Sequence, residues 1–170
     1  DSIAPALTGT WPSDDDNQNA CLSGANTSVF LSNEDAKALF TDCNEITVTH
    51  TQDTIISGCD WTIRRMYVVA DACGNDVKDT IKVSGKDKTA PVLTGIWPAN
   101  INNVNSCIDD SLKDKLYTNE QVKALFSDCS NFTVDSLITI TGTGCGWTVI
   151  KTFTVKDDCN NIYYTDGIST

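Results

Sequence analysis

The sequence predicts an all-β fold in which one unit is built twice, and three observations carry that prediction. An offset of 86 residues lays Ala4-Pro5-Ala6-Leu7-Thr8-Gly9-Thr10-Trp11-Pro12 on Ala90-Pro91-Val92-Leu93-Thr94-Gly95-Ile96-Trp97-Pro98 without a gap. The same offset carries Cys21, Cys43, Cys59 and Cys73 onto Cys107, Cys129, Cys145 and Cys159, Trp61 onto Trp147, and Lys37-Ala38-Leu39-Phe40 onto Lys123-Ala124-Leu125-Phe126. Within each copy the apolar residues fall mostly in short alternating runs bounded by Gly, Asn and Asp, the period of half-buried strands. The expected domains are therefore residues 1–86 and 87–170, joined near residues 86–89. A unit of this size has a thin hydrophobic core, which two disulfides per unit would reinforce.

Each copy opens on a strand closed by Trp11 or Trp97, a position that suits packing in the core or at the junction better than an exposed sugar-stacking platform. Ser32-Asn-Glu-Asp35 and Thr118-Asn-Glu-Gln121 then fit a capping box, with a hydroxyl at the N-cap and an acceptor three residues on. Ala36, Leu39 and Phe40 share one face after the first cap, as do Val122, Leu125 and Phe126 after the second. A two-turn helix is expected there, too short to stand alone. Strand signals follow at residues 46–50 and 54–57, read as a hairpin turning near 51–53, and then at 61–70. In the last run Trp61, Ile63, Tyr67 and Val69 lie on one face, with Arg65 among them. The second copy gives Trp147, Val149, Phe153 and Val155, with Lys151 in the place of Arg65. That basic residue is expected to pass the sheet edge or to meet a carboxylate. Asp71-Ala-Cys-Gly-Asn75 suits a tight turn with a positive backbone angle, and residues 76–84 return as the second strand of a terminal hairpin. Many short strands and tight turns in about 86 residues point to an immunoglobulin-like β-sandwich in each repeat, with one short helix; a small barrel is the alternative.

Within a copy the cysteines are spaced by 22, 16 and 14 residues. Close ligand pairs of the Cys-x-x-Cys kind are missing, so zinc is disfavoured and disulfides of an exported protein are favoured. If residues 61–70 form one strand, Cys59 and Cys73 lie beyond its opposite ends, too far apart for a bond whose Cα atoms must come within about 7 Å. Two arrangements remain. A hairpin turning at 51–53 would bring Cys43 to Cys59, which favours Cys43–Cys59 with Cys21–Cys73, repeated as Cys129–Cys145 with Cys107–Cys159.

The chain holds 12 basic and 23 acidic side chains, a net charge of -11 with His50 neutral. Both halves are acidic, at -7 and -4, so neither a nucleic-acid backbone nor an anionic membrane surface is an expected partner. An apolar run of membrane-spanning length is missing as well. The chain begins at Asp1 without Met or a leader, which reads as a piece of something longer. His50 is the sole histidine, and Ser136 stands at its place in the second copy. A Ser-His-Asp or Cys-His arrangement therefore cannot exist in both units, and an enzyme is not expected.

Divalent cations suit the charge. Asp14-Asp15-Asp16-Asn17 is the densest group of oxygen ligands of the kind calcium takes, although the second copy has Asn100-Ile-Asn-Asn103 there. Asp87 lies in the linker, and Asp71 or acids of the 109–114 segment are candidates to join it in a junction site that would stiffen a longer array. The candidate calcium ligands are thus Asp14, Asp16, Asp71 and Asp87. Two asparagine sequons, at Asn26 and Asn131, complete the list of motifs.

Trp61-Thr-Ile-Arg-Arg, Asp71-Ala-Cys-Gly-Asn75, Ile81-Lys-Val and Asp87-Lys-Thr-Ala-Pro91 together resemble the hyalin-repeat-like modules of large bacterial surface proteins, above all the surface adhesins of gliding bacteria. The second copy is a looser match, with Asn160 in place of glycine. The resemblance implies an extracellular, non-enzymatic immunoglobulin-like repeat in an adhesin or stalk, with no defined ligand site. The function expected is a stiff, disulfide-stapled spacer or adhesive segment of an exported cell-surface protein. As a fragment it is expected to be monomeric, with the neighbouring repeats of the same long chain, and possible surface glycans or proteins, as its partners. The competing function is a carbohydrate- or protein-binding module that uses the divergent 13–20 and 99–106 loops.

Overall fold

A computed structural model describes residues 1–102, 116–143, 146–165 and 168–169. The chain divides into two compact units, Asp1–Asp87 and Lys88–Thr170. Both are β-sheet-rich and each carries one short α-helix, so the architecture is all-β.

In the first unit the main sheet has the order β2-β6-β5-β4, with β2 at Asp15–Asn19, β4 at Ile46–Ser57, β5 at Asp60–Asp71 and β6 at Asp76–Lys86. β4, β5 and β6 form an antiparallel meander, and β2 runs parallel to β6 at its edge. A two-stranded ladder pairs β1 (Ala6–Leu7) with β3 (Phe40–Thr41). Helix α1 (Asn33–Lys37) enters this ladder. Its N-cap Ser32 accepts the Asp35 N–H at 3.0 Å, satisfying one of the donors that a helix start leaves open.

The turn between β4 and β5 corrects the sequence expectation. The run 46–57 is one continuous strand, paired with β5 from Ile46↔Asp71 to Ser57↔Asp60. The chain turns at Gly58, whose φ of +61° is a conformation that side chains with a Cβ rarely adopt. Residues 51–53 stay extended because their polar side chains find partners across the ladder. Arg64 reaches the Asp53 carboxylate through Nε and Nη2, and Arg65 donates to Gln52 Oε1 at 2.8 Å. The β5–β6 turn does take a positive angle, at Gly74 (φ +88°), and Asn160 (φ +68°) does so in the second unit.

The alternation of β5 decides which face is buried. Trp61, Ile63, Tyr67 and Val69 are buried, as are Ile81 and Val83 of β6. Trp11 fits against them from the β1 side, meeting Phe40 and Tyr67 edge-on at centroid distances of 6.0 and 5.4 Å. It is therefore packed into the core, with its indole Nε1 buried and without a hydrogen-bond partner among the described residues. Among the described residues Arg65 meets no carboxylate. Its guanidinium lies 4.6 Å from the Phe30 ring centre and also donates to the Leu31 carbonyl, so it covers the core margin.

The second unit repeats these pieces at the offset of 86. Helix α2 (Asn119–Lys123) follows a full capping box between Thr118 and Gln121. β7 (Val92–Leu93) pairs with β8 (Phe126–Ser127), and β9 (Phe132–Thr143) pairs with β10 (Gly146–Asp157). On the far side of β10 lie β11 (Ile162–Tyr164) and β12 (Ile168–Ser169). Val122, Phe126, Val134, Val149, Phe153 and Val155 form the core, with Trp97 and Trp147 packed against it. Lys151 donates to the Tyr117 carbonyl at 2.9 Å, the counterpart of Arg65 at Leu31.

Candidate functional site

The feature common to both units that carries chemistry is the end of the sheet where two cysteine segments meet. In the first unit, Cys43 lies just before β4 and Cys73 just after β5, and the register Ile46↔Asp71 brings these segments side by side. Each is held by a carboxylate that accepts backbone N–H groups. Asp42 Oδ1 takes the Asn44 N–H at 2.8 Å. Asp71 Oδ1 takes the N–H groups of Cys73 and Asn75 at 2.9 and 2.8 Å, and its Oδ2 takes the Asn75 amide at 2.8 Å. The Asp71 carboxyl is held below the usual carboxylate range by that Asn75 amide first, and by the backbone N–H groups of Asn75, Cys73 and Gly74, against the opposing effect of burial.

The same brackets recur in the second unit. Asp128 Oδ1 accepts the Ser130 N–H at 2.7 Å, and Asp157 accepts the Asn161 N–H and side-chain amide, both at 2.8 Å. Asp71 and Asp157 are both buried. A carboxylate in a turn rich in backbone donors keeps the turn closed at little desolvation cost, because its lone pairs are already occupied.

The cysteines depart from the expected pairing. Cys21, Cys59, Cys129 and Cys159 are disulfide-bonded. Among the described residues Cys43 and Cys73 are free, so neither Cys43–Cys59 nor Cys21–Cys73 is formed. The physical reason is the unbroken β4. It places Cys43 at one end of a 12-residue strand and Cys59 at the turn beyond the other, roughly 40 Å apart at ~3.3 Å per residue. Cys21 follows Ala20, whose carbonyl accepts the Trp61 indole N–H at 2.7 Å, which puts Cys21 at the Cys59 end of the sheet. The topology thus accommodates Cys21 with Cys59 and Cys43 with Cys73. In the second unit, Cys107 and Cys145 lie outside the described residues, so the pairs Cys129–Cys145 and Cys107–Cys159 each include one such residue.

The four candidate calcium ligands are not brought together. Asp14 accepts Lys82 Nζ at 2.9 Å and the Lys82 N–H at 2.8 Å, and the Lys82 side chain is foremost in holding its carboxyl below the usual range. Asp16 Oδ1 accepts the Ser84 hydroxyl at 2.7 Å. Both therefore sit along β6. Asp71 ends β5, whereas Asp87 follows Lys86, which pairs with Asp60 at the opposite end of β5. Asp71 and Asp87 stand a full strand apart. The 109–114 acids lie outside the described residues.

The 13–20 segment is no free binding loop. It contains β2 and is bound to β6, with Gln18 also tied to Asn26 through both its amide atoms. Of the 99–106 loop, residues 103–106 lie outside the described set. His50 Nδ1 lies 2.7 Å from Asn33 Oδ1, joining β4 to the start of α1. On the solvent face of the sheet, a groove is lined by Thr51, Gln52, Asp53, Arg64, Met66 and Thr80. Sequence reasoning left the Cys43 and Cys73 meeting point as the second of two arrangements and favoured the other. Its signal was the bracketing acids, Asp42 with Asp128 and Asp71 with Asp157, which recur at the offset.

No family model matches the chain, and no curated protein sequence matches it. What the fold and the cysteine ends define is a disulfide-stabilised, β-sheet-rich structural module present in two copies. Among the described residues, no helix is long and apolar enough to cross a membrane.

Proposed function

We propose that the chain is a spacer or adhesive segment of an exported, multi-repeat bacterial surface protein, its units being immunoglobulin-like modules similar to hyalin repeats. The observation that carries this reading is what the two units share. Positions matched at the offset build the core, the helix caps and the carboxylate-bracketed cysteine ends. Polar arrangements of one unit are not kept in the other: Asp14, His50, Asp53, Arg64 and Lys82 correspond to Asn100, Ser136, Thr139, Ile150 and Ile168. A module selected for mechanical persistence needs only the shared set, whereas a ligand site common to the units would need shared polar groups.

Disulfide bonds in both units support an oxidising compartment. The net charge of -11 fits a role away from nucleic acid. The test is to label intact cells of the source with an antibody to this segment and to titrate thiols in protein taken from them under alkylating conditions. Labelling without permeabilisation, together with protected cysteines, is the expected result. Eight reactive thiols in the native protein, or labelling only after permeabilisation, would overturn the proposal.

A further inference from the structure

We infer that Cys43 and Cys73 form an exchangeable dithiol–disulfide site, a covalent modification site at the open end of the β4–β5 hairpin that takes disulfide oxidants. Asn44 Nδ2 lies 3.5 Å from Cys43 Sγ and 3.7 Å from Cys73 Sγ, so one amide donor serves both sulfurs. The segments that carry them are pinned by Asp42 and Asp71, which leaves little chain entropy to lose when the bond closes. Both cysteines are exposed, while the bonded Cys21 and Cys59 are half-buried. At the offset of 86, Cys129 and Cys159 occupy the same bracketed positions and are bonded.

The step proceeds by thiol–disulfide exchange. The Cys43 thiolate attacks a low-molecular-weight disulfide RS–SR, forming Cys43–S–SR and releasing RS⁻. The Cys73 thiolate then attacks Cys43 Sγ, forming the Cys43–Cys73 bond and breaking the bond to SR, which leaves as a second thiolate. The cysteine pair gives up two electrons and two protons, and RS–SR is reduced to two thiols. Asp1 Oδ2, which accepts the Cys43 S–H at 3.0 Å and the Asn44 amide at 2.9 Å, is the neighbouring carboxylate at the site. The inference does not depend on the spacer reading, since any compartment that supplies a disulfide would drive it.

The experiment treats the full chain with oxidised glutathione, alkylates the remaining thiols and maps the peptides without reduction. The expected product is a single peptide pair linked Cys43 to Cys73, with neither residue alkylated. Reduced glutathione in excess should return both to alkylatable thiols while Cys21 and Cys59 stay protected. In C73S the reaction should stop at a glutathione adduct on Cys43; if that variant does not fold, C43S should likewise stop at an open adduct, on Cys73, with no internal link. Separate adducts on Cys43 and Cys73 in the unsubstituted chain, alkylation of both after oxidation, or a link from either to another cysteine would each overturn the inference.

Discussion

At Asp71 one carboxylate closes a whole turn, because three donors from Cys73 and Asn75 converge on its two oxygens. Its folded pKa lies below the ordinary value, so the unfolded chain takes up the proton first as pH falls. The stabilisation is therefore whole above about pH 5 and is lost as pH drops through the folded value, below the unfolded reference of about 3.9. Urea midpoints should decline across that acid range, and Asp71→Asn should flatten the decline; superimposable pH profiles would refute the assignment. Gly85 shows a second residue-scale constraint. A Cβ there would fall on the Trp61 ring and within 2.7 Å of the Gln18 carbonyl. Gly85→Ala should cost about 1–3 kcal/mol by overpacking, read from chemical denaturation with Trp fluorescence. Tyr67 adds a third. Its hydroxyl donates to the Leu31 carbonyl at 2.9 Å, and Tyr67→Phe should lose about 1 kcal/mol.

At the scale of elements, the helix starts and the buried faces were legible because both are local. The Ser32 and Thr118 caps depend on atoms three residues away, and the burial of Trp61, Ile63, Tyr67 and Val69 follows from a period of two. Ser32→Ala and Thr118→Ala should each remove about 1 kcal/mol, seen as a lower denaturation midpoint; no change in either would mean that the short helices are held by packing alone. The hairpin turn was misplaced for the converse reason. Thr51-Gln52-Asp53 looks turn-like in isolation, but Asp53 and Gln52 are held extended by Arg64 and Arg65 from the next strand. Gly58 takes the turn instead, and Gly58→Ala should cost roughly 1–2 kcal/mol for its left-handed backbone.

For the whole molecule, the two units have separate cores: the first around Trp61, Tyr67 and Ile81, the second around Val122, Phe153 and Val155. Residues 1–87 alone should therefore fold, giving the near-UV signal of buried Trp61 and a cooperative melt. A featureless spectrum would show that the first unit needs the second. Reductant should lower the midpoint of the full chain, in line with about 2–5 kcal/mol for loss of a structural disulfide in a small domain.

The duplication, the strand-rich class, the helix caps and the inward face of each long strand were settled by the order of residues, because each rests on neighbours or on a repeat visible in one dimension. The cysteine partners, the dispersal of Asp14, Asp16, Asp71 and Asp87, and the conversion of residues 15–19 into an edge strand were decided only in three dimensions. Those outcomes turn on which distant segment lies alongside. A hairpin that reverses at Gly58 rather than at residue 52 moves Cys43 from one end of the sheet to the other, with no change in any local preference.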